Sequence, residues 1–250
     1  MSKYNDLDEK EWKTHIDDIT TDAIWYSGIN KKSGKFLIPK RDFLPDNSSK
    51  FHGLFIPEIP YQFIKRFTKE NEIIWDAFGG SGTTYKVAKI LNRDCIINDL
   101  VPQEDYIIQA DSKTFNPNKK VQLLFLHPPY HNIIKYSENE NCGGNFNRIE
   151  LFLDWFNKIV KNCIQYLEKD RFLILVCGNI YENGEEHTLG VWCKDIIRKY
   201  GFKLKSHIIK DYGETKGGNK NYNLNYYRQL RGNYNNFYGD NIFILQKVKN

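Results

Sequence analysis

Cysteine is sparse in this chain and never paired: Cys95, Cys142, Cys163, Cys177 and Cys193 are odd in number and far apart, with no C-x-x-C spacing. That excludes a disulfide framework and a zinc knuckle. Long apolar runs are missing too. No stretch reaches the ~20 residues of a membrane span, and the opening Met1-Ser-Lys-Tyr-Asn-Asp6 is polar where a secretory leader needs an apolar core. The expectation is a soluble protein of the reducing cytoplasm, with neither membrane nor metal among its partners. No internal repeat is visible. What is present, 250 residues that are 40% hydrophobic and 15% aromatic, suffices for one well-buried α/β domain but not for two independent ones.

An excess of one sign of charge is confined to one place. The net charge of +5 is modest, yet residues 203–232 hold seven cations against Asp211 and Glu214, which accounts for all of it. Tyr212, Tyr222, Tyr226 and Tyr227 stand among these cations, with Gly and Asn between them. Cations grip phosphates and aromatic rings stack on bases, so the segment is a candidate nucleic-acid contact. As charge alone it fits a solvated loop equally well.

Residues 1 to about 50 carry no clear period and read as an N-terminal extension to a single catalytic domain of residues 51–250. After Pro57 the apolar Ile59, Phe63, Ile64 and Phe67 recur at helical spacing, predicting a helix to about Phe67. Glu72–Asp76 then reads as a buried strand, followed by a glycine turn, a helix from about Thr83 to Leu91, and a strand at Ile96–Asp99, together a βαβ unit. Further strands are predicted at Asp105–Gln109, Val121–Leu126, Arg171–Val176, Phe202–Asp211 and Asn241–Val248, with helices at about Glu150–Leu167 and Leu189–Tyr200. The fold class is α/β: a mostly parallel seven-stranded sheet with helices on both faces, ending in an antiparallel pair.

The glycine turn is Asp76-Ala-Phe-Gly-Gly-Ser-Gly-Thr-Thr84. Glycine between a strand and a helix lets backbone approach a ligand closely and presents the helix N-terminus to negative charge. Two common ligands are poorly served. Tyr85 stands where a dinucleotide fingerprint needs its third glycine, and no lysine precedes Thr83-Thr84 as a P-loop requires. What remains is an acid at each of two strand ends, Asp76 and Asp99, and an acid there can accept both hydroxyls of a ribose. The set suits S-adenosylmethionine, with its amino group near Asp76, its ribose at Asp99 and its adenine near Asp111, while Phe78, Gly80, Ser81, Gly82 and Thr83 form the surrounding loop.

The second motif, His127-Pro-Pro-Tyr130, closes the apolar run Val121–Leu126. An exocyclic base amine is a poor nucleophile because its lone pair is delocalised into the ring. Acceptors aimed at its hydrogens oppose that delocalisation as the nitrogen attacks a sulfonium methyl. The proline pair fixes the Pro128 carbonyl as one acceptor, the side chain of His127 supplies the other, and Tyr130 offers a face to a base swung out of its stack. Such a displacement needs no cysteine nucleophile, and the Pro-Cys pair of a C5-cytosine enzyme is absent from this turn.

The two motifs together make the chain resemble the amino-group (N6-adenine/N4-cytosine) DNA methyltransferases, whose signatures are a D-P-F-x-G-S-G-T loop and a D/N/S-P-P-Y/F loop. Asp76–Thr83 matches the first with Ala77 in place of proline, and His127–Tyr130 matches the second except at its first position. Phe51-His-Gly-Leu-Phe-Ile-Pro57 resembles the family segment preceding the cofactor loop, which places His52 at the methionine end. The likeness covers roughly residues 50–250. It implies S-adenosylmethionine as cofactor, double-stranded DNA as partner, and site-specific methylation of a flipped base, adenine-N6 in preference to cytosine-N4. A companion restriction endonuclease is left open by it.

His127 is the departure. Imidazole accepts a hydrogen bond only when neutral, through one nitrogen, and with an unperturbed pKa of about 6.5 the activity is expected to fall as pH drops through that value. Family members usually carry a separate target-recognition domain, and no segment here is long enough for one. Two insertions are therefore assigned that work, at about 131–148 and 212–240, with Lys216, Lys220, Arg228 and Arg231 as candidate phosphate contacts. Two other readings stay open: an RNA base-amine methyltransferase, and a catalytically inactive nucleic-acid-binding module.

Overall fold

The computed structural model describes residues 3–8, 10, 18–25, 44, 56–211, 222–235 and 239–248. Within them the strands are β1 (Ile24–Trp25), β2 (Ile73–Asp76), β3 (Asp94–Asp99), β4 (Ile108–Gln109), β5 (Val121–Leu126), β6 (Leu167–Cys177), β7 (Ile180–Glu182), β8 (Glu185–His187), β9 (Phe202–Asp211) and β10 (Gly239–Lys247). The helices are α1 (Glu58–Phe67), α2 (Thr83–Ile90), α3 (Ile149–Cys163), α4 (Leu189–Lys199) and α5 (Tyr222–Gly232).

Eight strands form one sheet in the order β1-β9-β10-β6-β5-β2-β3-β4, and β7 pairs with β8 as a separate hairpin. Neighbours run parallel except around β10, which is antiparallel to both β6 and β9. The central strands are apolar throughout because both faces of the sheet are covered. Side chains alternate across a strand, so Trp75, Leu124 and Leu126 pack with α3 and α4, while Ile74, Leu123 and Phe125 pack with α1 and α2. In α3 the stripe Phe152, Trp155, Phe156, Ile159, Val160 and Cys163 is buried, the one-sided pattern expected of a helix lying on a sheet.

The α/β class and the order of the main elements match the sequence expectation, and several boundaries do not. Helix α3 stops at Cys163, and Leu167 already belongs to β6. Ile164 and Leu167 are buried in the same core as the helical stripe, so their apolar character suits either end of the connection. The sheet has eight strands rather than seven because the N-terminal segment contributes β1, which pairs with β9. The boundary expected near residue 50 lies outside the described residues. Trp25 is fully buried and stacks on Phe63 with ring centroids 5.3 Å apart, Tyr4 meets Phe172 edge-on, and Asp6 pairs with Arg93 at 2.8 Å. The insertion at about 212–240 contains α5, and the β7–β8 hairpin stands between β6 and α4. Among the described residues no helix is long and apolar enough to cross a membrane.

Candidate active site

Strand β2 is where the sheet order reverses, with β3 on one side and β5 on the other. Open α/β sheets bind ligands beyond the carboxyl ends of their strands at such a point. The register fixes what gathers there. Asp76 lies opposite Ile97 of β3 and Phe125 of β5, so Asp99 and His127 each stand two residues past the level of Asp76. A cleft opens between these ends. Its walls include the glycine loop, Asp99, Asp111, His127, Pro128 and Pro129.

On the loop side Asp76 is 1% exposed and its Oδ1 accepts the Phe78 backbone N–H at 3.0 Å. Burial pushes its pKa up to about 7, and hydrogen bonds from Thr84 and Phe78 only partly offset that. Among the described residues no Lys or Arg pairs with Asp76. An acid walled into a cleft without a cation matches a ligand that brings one. Asp99 is tied down at both oxygens, accepting from Gly80 N at 2.8 Å and Val101 N at 2.9 Å. Burial raises its pKa against those bonds. Phe78 packs on Trp155, and Ser81 lies 3.4 Å from Thr83 between their hydroxyls. Asp111 lines the cleft with its carboxylate engaged by Lys113, whose backbone N–H donates at 2.8 Å and whose Nζ stands 3.3 Å away. The same Nζ donates to Asn141 at 2.8 Å, so this pair bridges the two walls.

Gly82 differs from its neighbours in the loop, because it is not among the cleft walls. It sits at φ +79° as the residue before α2, and a Cβ there would collide with the Tyr106 phenol. Left-handed backbone favours glycine, so its role is the turn itself. Gly82→Ala is expected to cost roughly 1–3 kcal/mol of stability from strain and overpacking together. Thermal unfolding checks this, and an unchanged Tm would show that the turn tolerates a side chain.

On the transfer side Pro128 is buried and His127 and Pro129 are half-buried. Desolvation holds the His127 pKa down to about 4, with the opposing pulls of Asp240 and Lys210 second to it. At that value the imidazole stays neutral, and able to accept, well below pH 6.5, so the fall in activity is expected at a lower pH than the residue's identity alone implies. Tyr130 is anchored from several sides. Its hydroxyl donates to Asp240 Oδ1 at 2.9 Å and lies 3.2 Å from His127 Nε2, and its ring packs over Gly178, where a Cβ would stand 2.8 Å from Cε2.

Several cleft residues escaped the sequence reading. Tyr136, Ser137, Asn141, Cys142 and Gly143 line it, so part of the 131–148 insertion is a wall of the cleft. Gly143 is pressed between Pro129 and Trp155, a Cβ there standing 2.9 Å and 2.5 Å from them. The doublet Gly143-Gly144 beside Cys142 was the available signal, since paired glycines mark close backbone approach. Asp240 carried no signal, being a single charge at a strand end, and Lys210 stood only as one cation of the basic segment. Arg228 and Arg231 are exposed on α5. Beyond that helix Tyr234 stacks on Tyr181 of β7 with centroids 4.0 Å apart. His52, Lys216 and Lys220 lie outside the described residues.

The N6/N4 methyltransferase family described as DNA methylase matches residues 2–109 and 121–247. A search of curated proteins finds no match. Among solved structures the chain is similar to TrmN of Thermus thermophilus, at 13% identity and a TM-score of 0.48 over 79% of this chain and 50% of that one. It thus spans half the length of that protein. It is also similar to a methyltransferase of Pyrococcus furiosus, at 15% identity and a TM-score of 0.45 over 79% of this chain and 86% of that one. A third likeness is to an S-adenosylmethionine-dependent methyltransferase of Methanosarcina mazei, at 11% identity and a TM-score of 0.47 over 76% and 99% of the two chains.

Proposed function

The chain belongs to the N6/N4 DNA methylase family, which matches nearly its whole length, and on that premise we propose that it transfers a methyl group from S-adenosylmethionine to the exocyclic amine of a flipped DNA base, adenine-N6 ahead of cytosine-N4. The observation that carries the reading is that one cleft is lined both by the acid-bearing glycine loop and by the His127-Pro128-Pro129 turn. When bound, S-adenosylmethionine supplies an electrophilic methyl on a sulfonium. The protein does the rest. Asp76, buried and without a cation of its own among the described residues, would hold an ammonium, and Asp99 would meet ribose hydroxyls with the lone pairs left beside its two backbone contacts. The Pro128 carbonyl and His127 accept the hydrogens of the target amine, so that its lone pair localises towards the methyl. Tyr130, held by Asp240 and packed over Gly178, is not itself among the cleft walls and would meet the base only at the cleft's edge.

Arg228 and Arg231 serve the duplex in this reading, as phosphate contacts on an exposed helix next to the hairpin. Double replacement by Ala is expected to weaken DNA binding and to flatten the log–log salt dependence by about 2, since each neutralised phosphate contributes roughly 0.9 to the slope. An unchanged slope rejects α5 as a DNA contact. The reading as a whole is tested by tritiated methyl transfer to unmethylated DNA, to RNA and to no substrate, with the labelled base identified after digestion. Label on adenine N6 or cytosine N4 of DNA supports it, and label on RNA alone or on neither removes it.

A further inference from the structure

We infer that Asn141, turned by Lys113, reads the adenine ring of S-adenosylmethionine at N1, so that part of an insertion assigned to DNA recognition serves cofactor recognition instead. The inference rests on the placement of the adenine beside Asp111. That placement leaves half of the ring's edge without a reader. Adenine carries a donor and an acceptor side by side, the N6 amine and N1, and a carboxylate can serve only the first.

The folded chain supplies the missing donor. Asp111 and Asn141 are both walls of the cleft, although one follows β4 and the other lies in the insertion after β5. Lys113 joins them, its Nζ donating to Asn141 Oδ1 at 2.8 Å and standing 3.3 Å from Asp111 Oδ2. An ammonium has hydrogens and no acceptor, so the atom of the Asn141 amide that faces it is the oxygen. The amide nitrogen keeps both hydrogens, and neither is taken up among the described residues. What Asn141 has left to offer the cleft is a donor. Asp111 is held in turn by the Lys113 backbone N–H, which reaches its Oδ1 at 2.8 Å, and each carboxylate oxygen keeps a lone pair. An acceptor and a donor thus stand on either side of one ammonium, the complement of N6 and N1.

The backbone that carries Asn141 is pinned before any ligand arrives. Its own N–H donates to Asn139 Oδ1 at 2.9 Å, and the Cys142 N–H donates to the Asn139 carbonyl at 2.9 Å. Asn145 closes the turn, its Nδ2 donating to the carbonyls of Ser137 and Asn139 at 2.9 and 2.8 Å. Gly143 is seated between Pro129 and Trp155. Presenting the amide therefore costs little ordering on binding. Leu100, Trp155 and Ile159 give the same cleft apolar surface, which suits the flat faces of a purine. A hypoxanthine ring reverses both edge contacts: its O6 meets the Asp111 carboxylate and its N1–H meets the Asn141 donor. A site built to hydrogen-bond one edge rejects the other.

Calorimetric binding of three ligands tests this without nucleic acid or turnover: S-adenosylhomocysteine, its 1-deaza analogue, in which a carbon replaces N1, and S-inosylhomocysteine. The wild type is expected to bind the 1-deaza analogue about tenfold more weakly than S-adenosylhomocysteine, the worth of one neutral hydrogen bond. S-inosylhomocysteine should bind at least about 100-fold more weakly, since both contacts are reversed. Asn141 is exposed, so its replacement leaves the core intact. Asn141→Ala should abolish the 1-deaza penalty. Asn141→Asp, which sets an acceptor before N1–H, should narrow the gap between the adenine and hypoxanthine ligands by about tenfold. Lys113→Met keeps the apolar stem and lets the amide turn, and should cut the 1-deaza penalty to about threefold. A 1-deaza penalty that is absent from the wild type, or equal in the wild type and Asn141→Ala, overturns the inference; one that Lys113→Met leaves whole overturns the part given to Lys113. Failure to bind S-adenosylhomocysteine at all overturns it together with the reading of the cleft. Discrimination at N1 as expected, in a protein that methylates no nucleic acid, sustains the role of Asn141 and defeats the proposed function instead, and DNA methylation without an N1 penalty does the reverse.

Discussion

Asp76→Asn is expected to stabilise the ligand-free protein at pH 8 while weakening S-adenosylmethionine at least about 30-fold, the lower end of what removing one partner of a buried charge pair costs. The carboxyl has an ordinary value of 3.8 and is held at about 7 by burial. Between those values the unfolded chain has released a proton that the folded chain keeps. The favourable contribution of the neutral acid is therefore full below 3.8 and is lost as pH rises through about 7. A shift of this size corresponds to about 4 kcal/mol at pH 8. Asparagine keeps the oxygen that accepts from Phe78 and has no proton to lose. Its advantage over the wild type should grow by about 2 kcal/mol between pH 5.5 and pH 8 in urea unfolding. An advantage that does not change with pH would show Asp76 solvated like a surface acid. The wild type carries the matching signature in binding. An ammonium ligand needs the ionised acid, so binding below pH 7 expels a proton. Kd is expected to rise about tenfold for each pH unit below about 7 and to level off above it. Calorimetry in two buffers of different ionisation enthalpy reads that proton directly.

These effects come from residues the sequence already exposes, and the reason is local. Asp76 and His127 each end an apolar run, and a run of that kind is legible because the buried strand and the ligand-facing residue after it differ sharply in polarity. The parallel sheet follows from the alternation of such runs with amphipathic helices. Other parts depend on partners far away in the chain. Ile164 and Leu167 are apolar on either side of the true end of α3, so periodicity cannot tell helix from strand there. Trp25 reaches the core through contacts with α1 and β9, nearly 40 and 190 residues on, and nothing next to it announces a strand. Tyr136, Ser137, Asn141, Cys142 and Gly143 line the cleft, with Gly143 fitted under Trp155, a fit that only the folded chain displays. Asp240 meets Tyr130 across 110 residues. The identity of His127 gives an ordinary titration, and burial of the ring, which depends on the folded chain, holds it down to about 4.

That displaced titration yields the second large effect. At saturating S-adenosylmethionine, kcat is expected to stay level from pH 8 down to about 5, because the imidazole held near 4 remains neutral over that range. His127→Phe keeps a planar ring and removes both nitrogens, and should lower kcat by about 10²–10³, the usual loss when one preorganised hydrogen-bonding group is taken from a transition state. His127→Asn restores an acceptor of the family type and should retain most of the rate. The two acids and bases then separate experimentally. Measured as kcat/KM for S-adenosylmethionine, the rate should fall below pH 7, where the free protein protonates Asp76; measured at saturation, that fall should vanish. A break in kcat near 6.5 would mean that the ring is hydrated like free histidine. It would then accept at pH 8 and fail only below about 6.5, where the amine would have only the Pro128 carbonyl to localise its lone pair.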